Sequence, residues 1–126
     1  MAHWSDGYIN VPHEQLDCGE LVERALHEQF GRTDIRFPRK SSSDLDHRTE
    51  LIVGHAADFA QPIDAPVDGC GVLMFARGRR AHIGLFCDIE GVPYVLHSDA
   101  LFGTSTRMPL SRLQLRYKIE GWYAWI

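Results

Sequence analysis

Three cysteines in 126 residues, at positions 18, 70 and 87, are too few and too far apart to form a disulfide framework. No C-x-x-C pair occurs, so a structural zinc site has little support and no metal or cofactor is expected. No stretch approaches the roughly 18 consecutive apolar residues of a membrane-crossing helix. The opening Met-Ala-His-Trp-Ser-Asp lacks the basic start and apolar run of a signal peptide. The expectation is a protein made in a cytoplasm without a signal peptide and without membrane insertion, any later export using other means. Basic residues do not dominate either. Thirteen Lys and Arg stand against 17 Asp and Glu, and a net charge of −4 argues against nucleic acid as the main partner. There is no internal repeat and no low-complexity segment.

What remains is an ordinary globular composition, 44% hydrophobic and 24% charged. At this length the simplest organisation is one domain over residues 1–126, large enough to bury a core. Seven histidines are present, but their number alone identifies no pH switch.

The first half reads as helical. Residues 1–16 look irregular, with Gly7, Asn10 and Pro12 marking turns and Tyr8-Ile9 a short strand. From Cys18 onward, apolar residues recur at 21, 22, 25, 26 and 30, the spacing of one helical face over about 17–30. Asp17 stands where an N-cap belongs, Glu20 follows as in a capping box, and Gly31 supplies a stop. A polar loop over 31–42 leads to a second helix over about 44–59, which Pro62 and Pro66 end in a loop.

The second half reads as strands. Gly71–Ala76 is a nearly continuous apolar run, Gly78-Arg79-Arg80 a turn, and His82–Cys87 the next strand. Glu90-Gly91 makes a tight turn into Val92–His97. Gly103–Met108 adds another strand, a helical turn follows Pro109, and the aromatic Tyr117–Trp125 closes the chain. Helices first and an antiparallel meander second describe an α+β domain.

Cys18 at a helix start feels the positive end of the helix dipole and the first N–H groups, which favour a reactive thiolate. A cysteine nucleophile also needs an imidazole, and a third group to orient that imidazole. The hairpin supplies two histidines. A two-residue turn at Glu90-Gly91 sets Ile89 against Val92 and, carried back, Gly84 against His97. Residues 82, 84, 95 and 97 then share one face, His82 lies diagonal to His97, and Gly84 leaves the space between them open. A slip of one residue would separate the two rings. The plainer readings stand beside this one. Cys18 also reads as a buried small hydrophobe, Asp17 and Glu20 as helix caps, Cys70 and Cys87 as core, His82 as a strand-edge residue and His97 as a turn cap.

The order Asp17-Cys18-x-x-Leu21-Val22, then His82-Ile83-Gly84-Leu85-Phe86, then Leu96-His97-Ser98 resembles the NlpC-type cell-wall peptidases, papain-like cysteine hydrolases of bacterial peptidoglycan. Tyr8–Pro12, Leu26–Gly31 and Ile119–Tyr123 resemble segments of the short proteins of phage and prophage tails within that family. The resemblance implies a papain-like α+β fold, with Cys18 as nucleophile, His82 as general base and then acid, and His97 as the orienting member. It implies hydrolysis of an amide in the peptidoglycan stem peptide, often that between D-glutamate and a diamino acid. Phage tail proteins would be further partners, and the site of action the virion tail or the cell wall. Backbone N–H groups at the helix start, including that of Cys18, would stabilise the oxyanion.

Cys18-Gly19-Glu20 departs from the family's Cys-Ser-Gly or Cys-Trp-Gly, and His13 stands where a tyrosine is usual. The oxyanion and cleft candidates are therefore Tyr8, His13, Asp17 and Gly19. The alternatives to a cell-wall amidase are a tail assembly component in which catalysis is secondary or absent, and an amidase toxin delivered between bacteria. A metal-binding module ranks last.

Overall fold

The computed structural model describes residues 2–36, 59–76, 80–99 and 102–126. The helix expected over about 44–59 lies outside them except for Phe59, as does most of the turn expected at 78–80. The described chain is α+β, with two helices and a six-stranded antiparallel sheet.

Helix α1 spans Cys18–Phe30. Asp17 caps it in extended geometry, its Oδ1 accepting the Glu20 N–H at 2.9 Å. Gly31 ends it in the left-handed conformation at φ 67°, a position where any side chain is strained. The expected face is buried: Leu21, Val22, Ala25 and Leu26 are fully covered. Burial of each large aliphatic among them stabilises the fold by about 1.5–3 kcal/mol. Phe30 departs from that stripe and is 40% exposed, its ring meeting Trp4 edge-on and lying against Gly69. Trp4–Tyr8 is a 3-10 helix rather than the start of a strand at Tyr8-Ile9, because His3 and Asp6 cap it reciprocally.

The strands are β1 (Ala60–Ile63), β2 (Gly71–Ala76), β3 (Arg80–Ile89), β4 (Val92–Ser98), β5 (Ser105–Pro109) and β6 (Lys118–Trp125), with one helical turn at Leu110–Leu113. Their order is β1-β6-β2-β3-β4-β5. Thus β2 to β5 form the expected meander, and β6 returns to lie between β1 and β2. Strand β1 corrects the expected loop. It pairs Pro62 with Tyr123 at the sheet edge, where the missing proline N–H costs no ladder bond.

Alternation sorts the strand side chains into two layers. Leu73, Ile83, Leu85, Cys87 and Leu96 pack with α1. Val72, Met74, Phe86, Val95 and Met108 form the opposite layer with Leu113 and Tyr117. At the β3–β4 turn Glu90 and Gly91 both have positive φ, 54° and 82°, the two-residue turn that suits strand twist. Ile89 faces Val92, and the pairing runs unbroken to Leu85 against Leu96.

Candidate active site

The turn at Glu90-Gly91 sets the site. The β3–β4 pairing ends at Leu85 against Leu96, one step short of the expected Gly84–His97 pair, and His82 and Gly84 share the next face of β3 by strand alternation. A Cβ at Gly84 would stand 2.7 Å from the Leu96 carbonyl oxygen and 2.9 Å from Val95 Cγ1. Only glycine allows this approach. His82 Nε2 and His97 Nδ1 are 2.9 Å apart, with the rings edge to face at 5.0 Å between centroids. His82 is 4% exposed and His97 fully buried.

His97 pairs with Thr106 across β4 and β5, and its Nε2 lies 3.2 Å from Thr106 Oγ1. Both ring nitrogens of His97 therefore have hydrogen-bond partners. Burial pushes its pKa down to about 4, with the negative charge of Asp99 opposing the fall, so His97 is neutral near pH 7. A neutral His97 that donates from Nε2 to Thr106 accepts at Nδ1 from His82 Nε2–H. That arrangement leaves Nδ1 as the basic nitrogen of His82.

Cys18 occupies the first helical position of α1 and is 4% exposed. The segment leading into it is laced to the β4–β5 end of the sheet. Asn10 N–H donates to Ser105 O at 2.9 Å, Pro12 bridges to Thr104, and His13 N–H donates to Gly103 O at 2.9 Å. A further tie, two residues before Cys18, is made by Ser98, whose Oγ donates to Leu16 O at 2.7 Å and accepts from His13 Nδ1 at 2.9 Å. Ser98 is the chain neighbour of His97, so the start of α1 is anchored at the end of β4 that carries His97.

The other cysteines have a different character. Burial raises the Cys70 thiol and pushes Cys87 up to about 12, which keeps both protonated and inert. Among the helix-start N–H groups, Glu20 is bonded to Asp17 Oδ1 and Leu21 to the Asp17 carbonyl. Those of Cys18 and Gly19 precede the first intrahelical bond, as the first N–H groups of any helix do.

The expected cleft residues separate. Asp17 is the buried cap of α1, and Gly19 is buried in its first turn. His13 is engaged with Ser98 near the helix start. Tyr8 is not at that end. Its hydroxyl donates to Glu28 Oε1 at 2.6 Å and accepts from Gln29 Nε2 at 3.2 Å, a full helix length from Cys18, about 15 Å at the rise of an α-helix.

No protein-family model matches the chain, nor does any curated protein or any solved structure. The site stands on its own residues. Four of them were not among the sequence candidates: Ser98, Asp99, Thr106 and Tyr117. Tyr117 stacks on His82 at 5.3 Å between centroids and 15° between planes, and its hydroxyl donates to the buried Asp99. Thr106 was reachable from the β4–β5 register, and Ser98 and Asp99 directly follow His97. Tyr117 carried no sequence signal.

Among the described residues no group of three or more His, Cys, Asp and Glu side chains is placed to hold a metal ion, and no helix is long and apolar enough to cross a membrane. A cavity of about 300 Å³ runs along α1 between Leu16 and Glu28, past Glu20, Glu23 and Arg24. Its lining includes none of Cys18, His82 and His97.

Proposed function

We propose that this chain is a cysteine peptidase that hydrolyses amide bonds of peptidoglycan stem peptides, a papain-like enzyme of the NlpC type associated with phage or prophage tails. The observation that carries the reading is the hydrogen-bonded His82–His97 pair at the end of the sheet where the start of α1, with Cys18, is tied down. Substrate and setting rest on the motif resemblance at Asp17-Cys18, His82–Phe86 and Leu96–Ser98.

In this reading His82 Nδ1 takes the thiol proton of Cys18, and the thiolate adds to the amide carbonyl carbon. His82 Nε2–H continues to donate to His97 Nδ1, which keeps the imidazolium from turning away. The carbonyl oxygen gathers negative charge as the tetrahedral intermediate forms, and the N–H groups of Cys18 and Gly19 are the donors suited to it. Collapse breaks the C–N bond, with the His82 proton passing to the leaving amine. Water, deprotonated by the same nitrogen, then releases the acid from the thioester.

The test is mass spectrometry of muropeptides after incubation of isolated peptidoglycan with the purified protein. Wild type is expected to yield cut stem peptides and Cys18→Ala none. Equal products from both would overturn the assignment of Cys18. No products from either, in protein shown to bind a tail component, would favour a docking role.

A further inference from the structure

A thiolate–imidazolium pair gains from a fixed negative charge near the imidazolium, and the third member of a catalytic triad commonly supplies it. His97 is neutral and cannot. The chain places a carboxylate close behind it. Asp99 is 3% exposed, and its backbone carbonyl is held by the N–H groups of Phe102 and Gly103 at 3.1 and 3.2 Å. Its Oδ2 accepts from the Tyr117 hydroxyl. Tyr117 touches all three partners: it stacks face-on against His82, meets His97 edge-on at 5.3 Å, and bonds Asp99. A ring face within about 6 Å of a cation attracts it, so the stacked tyrosine itself favours protonated His82.

We propose that Asp99, held in place by Tyr117, is the counter-charge of the His82 imidazolium, so that the anion of this site lies beyond a neutral His97 rather than at it. This rests on His82 being the proton acceptor of the reading above. The proton balance is simple. The Cys18 S–H proton moves to His82 Nδ1, the Nε2 proton stays on His82, and Asp99 takes no proton. Asp99 and Tyr117 are positioning residues, since neither touches the reacting atoms. Around His82 stand His97 from β4 and Tyr117 from the turn before β6, with Asp99 from the loop after β4 bonded to Tyr117, and, in the proposed reaction, Cys18 from α1.

The inference is tested by the titration of the His82 imidazole, followed by NMR in the whole protein and assigned with His82→Gln. This measurement needs no turnover, so it separates a failure of the charge arrangement from a failure of the peptidase reading. Asp99→Asn is expected to lower the His82 midpoint by about one pH unit, the size of effect a nearby charge exerts. Tyr117→Phe, which keeps the ring over His82 but releases the Asp99 carboxylate, is expected to lower it too, and Tyr117→Leu, which loses both, to lower it further. A folded Asp99→Asn with an unmoved His82 midpoint overturns the proposal, and so does an equal shift at the remote His27. If Asp99→Asn does not fold, a His82 midpoint in Tyr117→Phe unmoved from wild type overturns it instead.

Discussion

His82 Nε2 and His97 Nδ1 stand 2.9 Å apart across two antiparallel strands, and between them in β3 lies Gly84, where a Cβ would press on the Leu96 carbonyl oxygen. The pair depends on one turn. Glu90 and Gly91 absorb the reversal in two residues, and every pairing back along the hairpin follows from that. An inserted residue would send one histidine into the α1 layer and leave the other opposite it.

His97 can be tested by what replaces it. His97→Gln keeps an acceptor for His82 Nε2–H, whereas His97→Leu offers none and leaves a buried N–H without a partner. Hydrolysis of muropeptides is expected to fall on the order of 10⁴-fold in the leucine variant, comparable to loss of an orienting triad member. The glutamine variant should retain measurable turnover. Equal rates in the two variants would remove the orienting role.

Acid should weaken the fold through the same residue. Unfolded His97 titrates near 6.5, while in the folded protein burial holds it at about 4. Above pH 6.5 both states are neutral there and the residue adds no pH dependence. As pH falls through 6.5 toward 4 only the unfolded state gains the proton, so stability drops. The loss is about 2 kcal/mol by pH 5. Urea unfolding at pH 7 and pH 5 should show this slope in wild type and a shallower one in His97→Gln.

Gly84→Ala should damage both packing and site. The new methyl meets a backbone oxygen at 2.7 Å and Met74 Cε at 3.1 Å, and the backbone oxygen cannot rotate aside. Overpacking of this kind costs about 1–3 kcal/mol. The urea midpoint is expected to fall, with NMR shifts at both His82 and His97.

Ser98→Ala removes the bond that ties Leu16 to β4 and leaves a buried carbonyl unsatisfied. The expected cost is about 1–3 kcal/mol. Because the same bond positions the start of α1 relative to the histidines, kcat should fall more than the population of folded protein does. Activity scaled to folded fraction separates the two effects.

Tyr8→Phe is the contrasting case. Its hydroxyl serves Glu28 and Gln29 far along α1, so hydrolysis should stay at the wild-type rate while stability falls by about 1 kcal/mol. A variant with lost activity and unchanged stability would return Tyr8 to the cleft.

Much of this was legible beforehand where the signal is local. The cap at Asp17, the stop at Gly31, the apolar stripe of α1 and the hairpin turn each depend on a few neighbouring residues. Strand β1 was not legible, because a proline inside an apolar stretch speaks against a strand until the strand is known to be an edge. Tyr8 was placed in the cleft by likeness of motif, and the 3-10 helix turned its hydroxyl toward the other end of α1.

The residues alone determined where a nucleophilic cysteine could sit and which two histidines share a face, since helix capping and strand alternation are short-range rules. Tertiary structure decided the rest. That the start of α1 meets the end of β4 depends on Ser98 and on the lacing of residues 10–13 to 103–105, contacts between segments far apart in the chain. That Tyr117 lies under His82 depends on the approach to β6, which returns from the far end of the sequence to pair with β2. Such contacts follow from how whole elements pack, and no local pattern encodes them.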